Sequence, residues 1–176
     1  MKAALILALA ISALALAEVA DSSNSGFTIR ITIAIQAPPG DVYRRLVHNI
    51  GDWWDPAHTW TGDSHNLTIE EKPMGCFCEK LPANGGVRHM EVVNLAPGKT
   101  LVMSGALGPL QSMAAAATMT IQLTPADGAT KLAVTYAVAG YLPAGMNTLA
   151  APVDEVLTGQ FTRLKNYIER NDPAPR

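Results

Sequence analysis

Cysteine and charge are both scarce in this 176-residue chain, and each shortage removes a class of protein. The two cysteines, Cys76 and Cys78, form a single C-x-C, too few ligands for a structural zinc site. Charged residues make up 16% of the chain, well under the usual quarter, which does not describe an extended disordered protein. A formal charge of −2 leaves no room for the basic stripe of a nucleic-acid binder. The four histidines (His48, His58, His65 and His89) show no H-E-x-x-H or related spacing, so no metal site is expected. No G-x-S-x-G occurs. Gly98-Lys99-Thr100 resembles the end of a phosphate-binding loop, but Val93 stands where that loop needs its first glycine. No cofactor is therefore expected. Beyond residue 17, no apolar run approaches the roughly 20 residues of a membrane-spanning helix.

What is present begins at the N-terminus. Met1-Lys2 is followed by an Ala/Leu/Ile run to Leu16, closing on Ala15-Leu16-Ala17, an A-x-A pattern, before Glu18 and Asp21 turn the chain polar. A positive start, a short apolar stretch and small exit residues predict a signal peptide over 1–17, cleaved after Ala17, with no stable membrane insertion afterwards. Residues 18–26 then read as a flexible lead-in, 27–170 as one domain, and 171–176 as a tail.

Phe27, Ile29, Ile31, Ile33 and Ile35 alternate with Thr28, Arg30, Thr32 and Ala34, the pattern of a half-buried strand. Ala37-Pro38-Pro39-Gly40 stops it. Two short helices are predicted next, one over 41–48 and one in the Trp-rich stretch 51–56. Strands follow over 67–70, 76–81, 87–94, 100–104, 113–124 and 131–138, separated by turn signals such as Asn84-Gly85-Gly86 and Pro125-Ala126-Asp127-Gly128. Residues 113–117 are locally helix-friendly, yet Met113, Ala115, Ala117, Met119, Ile121 and Leu123 keep one phase, and one long strand is the reading. Leu149, Val153, Val156, Leu157, Phe161, Leu164 and Ile168 keep helical spacing over about five turns. The order predicts an α+β domain: a curved antiparallel sheet of about seven strands wrapped around a long C-terminal helix, with two short helices after the first strand.

That order, joined to Ala37-Pro38-Pro39-Gly40-Asp41-Val42-Tyr43, Trp53-Trp54-Asp55-Pro56-Ala57-His58, Met74-Gly75-Cys76-Phe77-Cys78-Glu79 and Val92 to Lys99, resembles the START-like superfamily, also called SRPBCC or polyketide cyclase/dehydrase-like. It is similar to the exported branch near the heat-shock-ATPase-activator-like domains. The resemblance implies a helix-grip fold with a cavity between sheet and long helix. The superfamily spans lipid carriers, hormone receptors, aromatase/cyclases and co-chaperone domains, so function has to come from the site.

Met90, Met103, Met113 and Met119 fall on apolar strand faces beside the small residues Ala115, Ala117 and Ala133, a composition suited to an adaptable pocket. Tyr136, in phase with Leu132 and Val134, points inward with a hydroxyl that needs a partner. Tyr141 opens a Gly/Pro loop over 141–146 that reads as a cavity lid. Trp54 and His58 belong to an aromatic cluster able to wall a ligand or to plug one end of the sheet. Cys78 shares a strand face with Cys76. Two free, half-buried thiols are the expectation there, and a labile bridge the alternative.

The expected function is an exported binder or carrier of a small hydrophobic molecule, its ligand held by Trp54, His58, Cys78, Met90, Met103, Met113, Met119, Tyr136 and Tyr141. The alternative is a cyclase/dehydrase-like enzyme using His58, Glu79 or His89 as acid or base and Tyr136 as hydrogen-bond donor. It requires at least two of these groups to converge within hydrogen-bond reach. A chaperone-associated interaction domain is the third reading, and no particular protein partner is indicated.

Overall fold

The computed structural model describes residues 16–174. Most of the predicted signal segment, residues 1–15, and the last two residues of the tail lie outside the described residues.

β2 (Gly26–Ile35) realises the clearest pattern in the sequence: Phe27, Ile29, Ile31, Ile33 and Ile35 are each no more than 2% exposed. Pro38 and Pro39 then open α1 (Pro39–His48), because proline is preorganised for a first helical turn and lacks only an amide hydrogen that would go unused there. α1 buries Val42, Tyr43, Leu46 and Val47, and α2 (Ile50–Trp53) buries Ile50 and Trp53. These two helices carry the chain to the far edge of the sheet. From there β3 (Leu67–Ile69), β4 (Cys76–Lys80), β5 (Gly86–Ala96), β6 (Thr100–Ser104), β7 (Ala114–Ala126) and β8 (Ala129–Tyr141) form a meander that returns to β2.

The sheet has eight strands, in keeping with the expectation of about seven. Residues 18–26 were expected to be a flexible lead-in, but β1 (Leu16–Ser23) pairs with β2 through a hairpin turn at Asn24-Ser25. All pairings are antiparallel, in the order β1-β2-β8-β7-β6-β5-β4-β3.

The long helix α3 (Ala150–Arg170) lies across the apolar face of this sheet, giving an α+β helix-grip arrangement. It ends at Asn171, whose left-handed backbone (φ 58°) is the usual device for stopping a helix. Leu157, Phe161 and Leu164 are buried between helix and sheet. Polar bonds fasten the helix's second half: Gln160 Oε1 accepts from the Asp55 amide at 2.8 Å, Arg163 Nε donates to the Trp53 carbonyl at 3.0 Å, and Lys165 Nζ donates to the Ala34 carbonyl at 2.6 Å.

The 113–117 stretch is strand from Ala114 onward, with Ala115, Ala117, Met119, Ile121 and Leu123 on the inner face. A short 3-10 turn, Gly108–Ser112, precedes it and brings Met113 out of the sheet. Ala133 is out of phase with the buried Leu132, Val134 and Tyr136, so it belongs to the opposite face of the sheet from the one assigned to it on sequence. No helix among the described residues is long and apolar enough to cross a membrane.

Candidate functional site

One inward row crosses the sheet through Ile29, Tyr136, Met119, Met103 and Val92, each buried. Near this row, between the sheet and the first half of α3, lies a cavity of about 470 Å³. Its walls come from four places: Trp54 to Trp60 after α2, Leu107 to Met113 after β6, Leu149 to Leu157 on the helix, and two sheet residues, His89 and Tyr136. The lining is predominantly aliphatic and aromatic, with a polar end, the usual build of a small-molecule site.

That polar end is made by a strand irregularity. Phe77 pairs with Met90 and Cys78 with Arg88, leaving His89 without a partner on β4. The bulge turns both His89 and Met90 inward, at 6% and 1% exposure, where strict alternation would bury only one of them. Gly105 lies against the same place with φ 145°, and a Cβ there would sit 2.6 Å from the His89 carbonyl oxygen. Only glycine lets the chain after β6 approach the bulge this closely.

Across the bulge, Glu79 is in phase with Phe77 and is buried with it. Its carboxylate accepts from the Trp60 amide (3.0 Å), the Thr61 amide (2.7 Å), the Thr61 hydroxyl (2.8 Å) and Nε2 of His89 (3.0 Å). Desolvation pushes the Glu79 pKa up, but the donors from Trp60, Thr61 and His89 outweigh it and hold the group below the ordinary 4.5. For His89 desolvation dominates, and the nearby carboxylate only partly opposes it, so its pKa falls below 6.5. At neutral pH the pair is therefore an ionised Glu79 and a neutral His89. The bond to a carboxylate fixes the imidazole proton on Nε2, and Nδ1 is left as an acceptor with no partner among the described residues.

Tyr136 contributes the opposite polarity. Its hydroxyl oxygen accepts from the Leu107 amide at 3.0 Å, leaving its own proton to give. Burial pushes its pKa up to about 12, so the proton stays in place.

The residues singled out on sequence fall into three groups. Trp54, His58, Met113 and Tyr136 line the cavity; Trp54 is buried edge-on to Phe77, its indole N–H donating to the His58 carbonyl, while His58 itself is exposed at the rim. Met90, Met103 and Met119 are fully packed in the core and do not reach the cavity wall. Cys78 and Tyr141 lie elsewhere. Cys78 alternates with the inward Glu79, so it faces a shallow depression on the outer side of the sheet, and it is joined to Cys76 by a disulfide. The expectation of two free thiols is corrected: a Cα–Cα distance of 5.3 Å is well within disulfide reach. Tyr141 is 71% exposed, and its loop packs under the β1–β2 turn, where the Met146 amide donates to the Asn24 carbonyl, rather than over the cavity.

Of the groups named for the catalytic alternative, Glu79 and His89 are bonded to each other, and Tyr136 lines the same cavity as His89. Sequence reasoning passed over Leu107, Pro109 and Leu110, although a Gly/Pro segment carrying leucines (Gly105 to Leu110) is itself a signal of a built wall. Trp60, part of the same aromatic cluster as Trp54 and His58 but not among the expected ligand-binding residues, stands 58% exposed at the rim. Among the described residues, no group of three or more His, Cys, Asp or Glu side chains is placed to hold a metal ion.

Solved structures share this architecture. EF2215 from Enterococcus faecalis superposes with a TM-score of 0.59 at 20% identity, covering 92% of this chain and 80% of that one. CalU16 from Micromonospora echinospora gives 0.55 at 13% identity, covering 91% and 88%. DynU16, from the dynemicin biosynthetic locus, gives 0.57 at 15%, covering 83% of this chain and 48% of its own. The fold is shared. At these identities the likeness extends to the helix-grip arrangement and no further. No family model matches the chain, and no curated protein matches it.

Proposed function

We propose that the protein binds a small hydrophobic molecule in the cavity between sheet and helix, and that it does so outside the cytoplasm. The observation that carries the first part is the cavity itself: about 470 Å³ of space walled by tryptophans, leucines and valines, with polar groups at one end. The signal-like segment over 1–17 supports the second part. So does the Cys76–Cys78 disulfide, a bond that persists in oxidising compartments.

Protein recovered from the exported fraction of its own host is expected to begin at Glu18 and to release an apolar small molecule on solvent extraction. The emptied protein should then bind N-phenyl-1-naphthylamine with a Kd of about micromolar order. Val153→Trp, which projects an indole into the space, should abolish that binding while leaving the circular dichroism unchanged. A wild-type protein that neither carries an apolar molecule nor binds the probe would refute the reading.

The Glu79–His89 pair favours a second reading, a cyclase/dehydrase-like enzyme acting on a hydrophobic substrate in the same cavity. Neutral His89 takes a proton at Nδ1 from the carbon next to a carbonyl, Glu79 stabilises the resulting imidazolium, and the Tyr136 hydroxyl donates to the enolate oxygen. Exchange of the α-protons of 2-tetralone in deuterated water, followed by NMR, tests it. Acceleration by the wild type that is lost in His89→Gln supports the enzyme; no acceleration removes it.

A further inference from the structure

The two polar side chains that the sheet contributes to the cavity wall, Tyr136 and His89, have opposite hydrogen-bonding characters. The Tyr136 hydroxyl oxygen is occupied by the Leu107 amide, so it offers a proton. The His89 ring has its proton committed to Glu79, which is itself committed to the amides of Trp60 and Thr61, so Nδ1 offers a lone pair. His89 cannot exchange roles without breaking its bond to Glu79, the Tyr136 proton has no partner among the described residues, and a buried donor or acceptor left unpaired costs more than an average hydrogen bond gains. The wall is therefore complementary to a group that both gives and takes a proton.

From this geometry we infer that the cavity selects apolar molecules bearing a hydroxyl group, such as phenols and apolar alcohols, over ethers and hydrocarbons of the same shape. The hydroxyl proton goes to Nδ1 of His89, and an oxygen lone pair of the ligand takes the proton of Tyr136. A hydrocarbon leaves both wall atoms unpaired. An ether satisfies Tyr136 and leaves His89 unpaired. Discrimination of this kind is strong because the penalty falls on the mismatched ligand.

The inference rests on the cavity being a ligand site, and the test separates the two. The probes are naphthalene, 1-methoxynaphthalene and 1-naphthol, titrated against the ligand-free full chain by calorimetry. The expected order is 1-naphthol tightest, with each wall atom left unpaired weakening binding by about 5-fold to 150-fold. Tyr136→Phe should bring 1-methoxynaphthalene to the affinity of naphthalene, and His89→Phe should bring 1-naphthol to that of 1-methoxynaphthalene. If naphthalene binds and all three affinities are equal in the wild type, the selectivity is overturned while the cavity reading stands. If none of the three binds, the cavity reading falls and the selectivity with it. The wild-type ranking decides the matter even if a variant fails to fold.

Discussion

Glu79 is a charged residue on an apolar strand face, and its neighbourhood shows why it survives there. Two backbone amides, a threonine hydroxyl and an imidazole converge on one carboxylate, replacing the water it lost. Three of these donors tie the loop at Trp60-Thr61 to the sheet, so this one side chain holds a wall of the cavity as well as a proton inventory. Both members of the pair have depressed pKa values in the folded chain. The unfolded chain therefore takes up protons first, at about the ordinary 6.5 for the histidine and 4.5 for the glutamate, and stability falls as the pH drops through each in turn. Urea denaturation from pH 8 to pH 4 is expected to show full stability at the top and a decline beginning near pH 6.5. His89→Phe should remove the upper part of that decline. Glu79→Ala should cost about 1–3 kcal/mol at pH 7 for each buried donor that it leaves without an acceptor. A pH profile identical in wild type and His89→Phe would show that His89 does not titrate in this window.

At the scale of elements, the β4–β5 bulge is the feature on which the site depends. It turns His89 inward on one face while, on the other, Cys76 and Cys78 are joined by a disulfide. The disulfide closes a very short loop, and on the chain-entropy model such a bond contributes only about 1–2 kcal/mol. Its larger effect is local, since it fixes the strand opposite the bulge. Reduction is expected to lower the melting temperature by roughly 2–8 °C. It should also shift the ring resonances of His89 more than those of His48, which lies on an exposed surface. Unmoved His89 resonances would uncouple the bond from the bulge. These elements also mark how much was legible in the sequence. β2 and α3 announce themselves, because β2 buries one complete face and the apolar period survives along the whole of each element. β1 does not: it is an edge strand largely exposed on both faces, held by backbone pairing with β2, so no alternation betrays it. The bulge was equally silent, since it consists of two adjacent inward residues, His89 and Met90, and a period-2 reading assigns one of them to the wrong side. The cavity residues Trp54 and Tyr136 were readable from type and phase. Tyr141 and the core methionines were not separable from lining residues, because an apolar face looks the same whether it meets a helix or a void.

The whole molecule divides along its long helix. From Gln160 onward α3 is clamped, by Phe161 and Leu164 in the core and by Gln160, Arg163 and Lys165 to three separate backbone groups. From Pro152 to Leu157 it lines the cavity. A helix gripped at one end over a cavity at the other is a stable way to keep an unfilled volume, because the packed half carries the stability that the unpacked half forgoes. The division predicts unequal costs for the same chemical change. Leu164 and Leu157 are both almost fully buried, at 0% and 2% exposure, but only Leu157 lines the cavity. Truncating a leucine to alanine costs about 2–5 kcal/mol, more where neighbours surround it on every side. Leu164→Ala is expected at the upper end of that range. Leu157→Ala belongs at the lower end, because on its cavity side there are no contacts to lose. Equilibrium urea denaturation of the two variants, measured on ligand-free protein, checks this directly. Equal costs would mean that the space beside Leu157 is closed in solution. If added ligand stabilises the wild type more than Leu157→Ala, the helix's first half is also the surface against which the bound molecule packs.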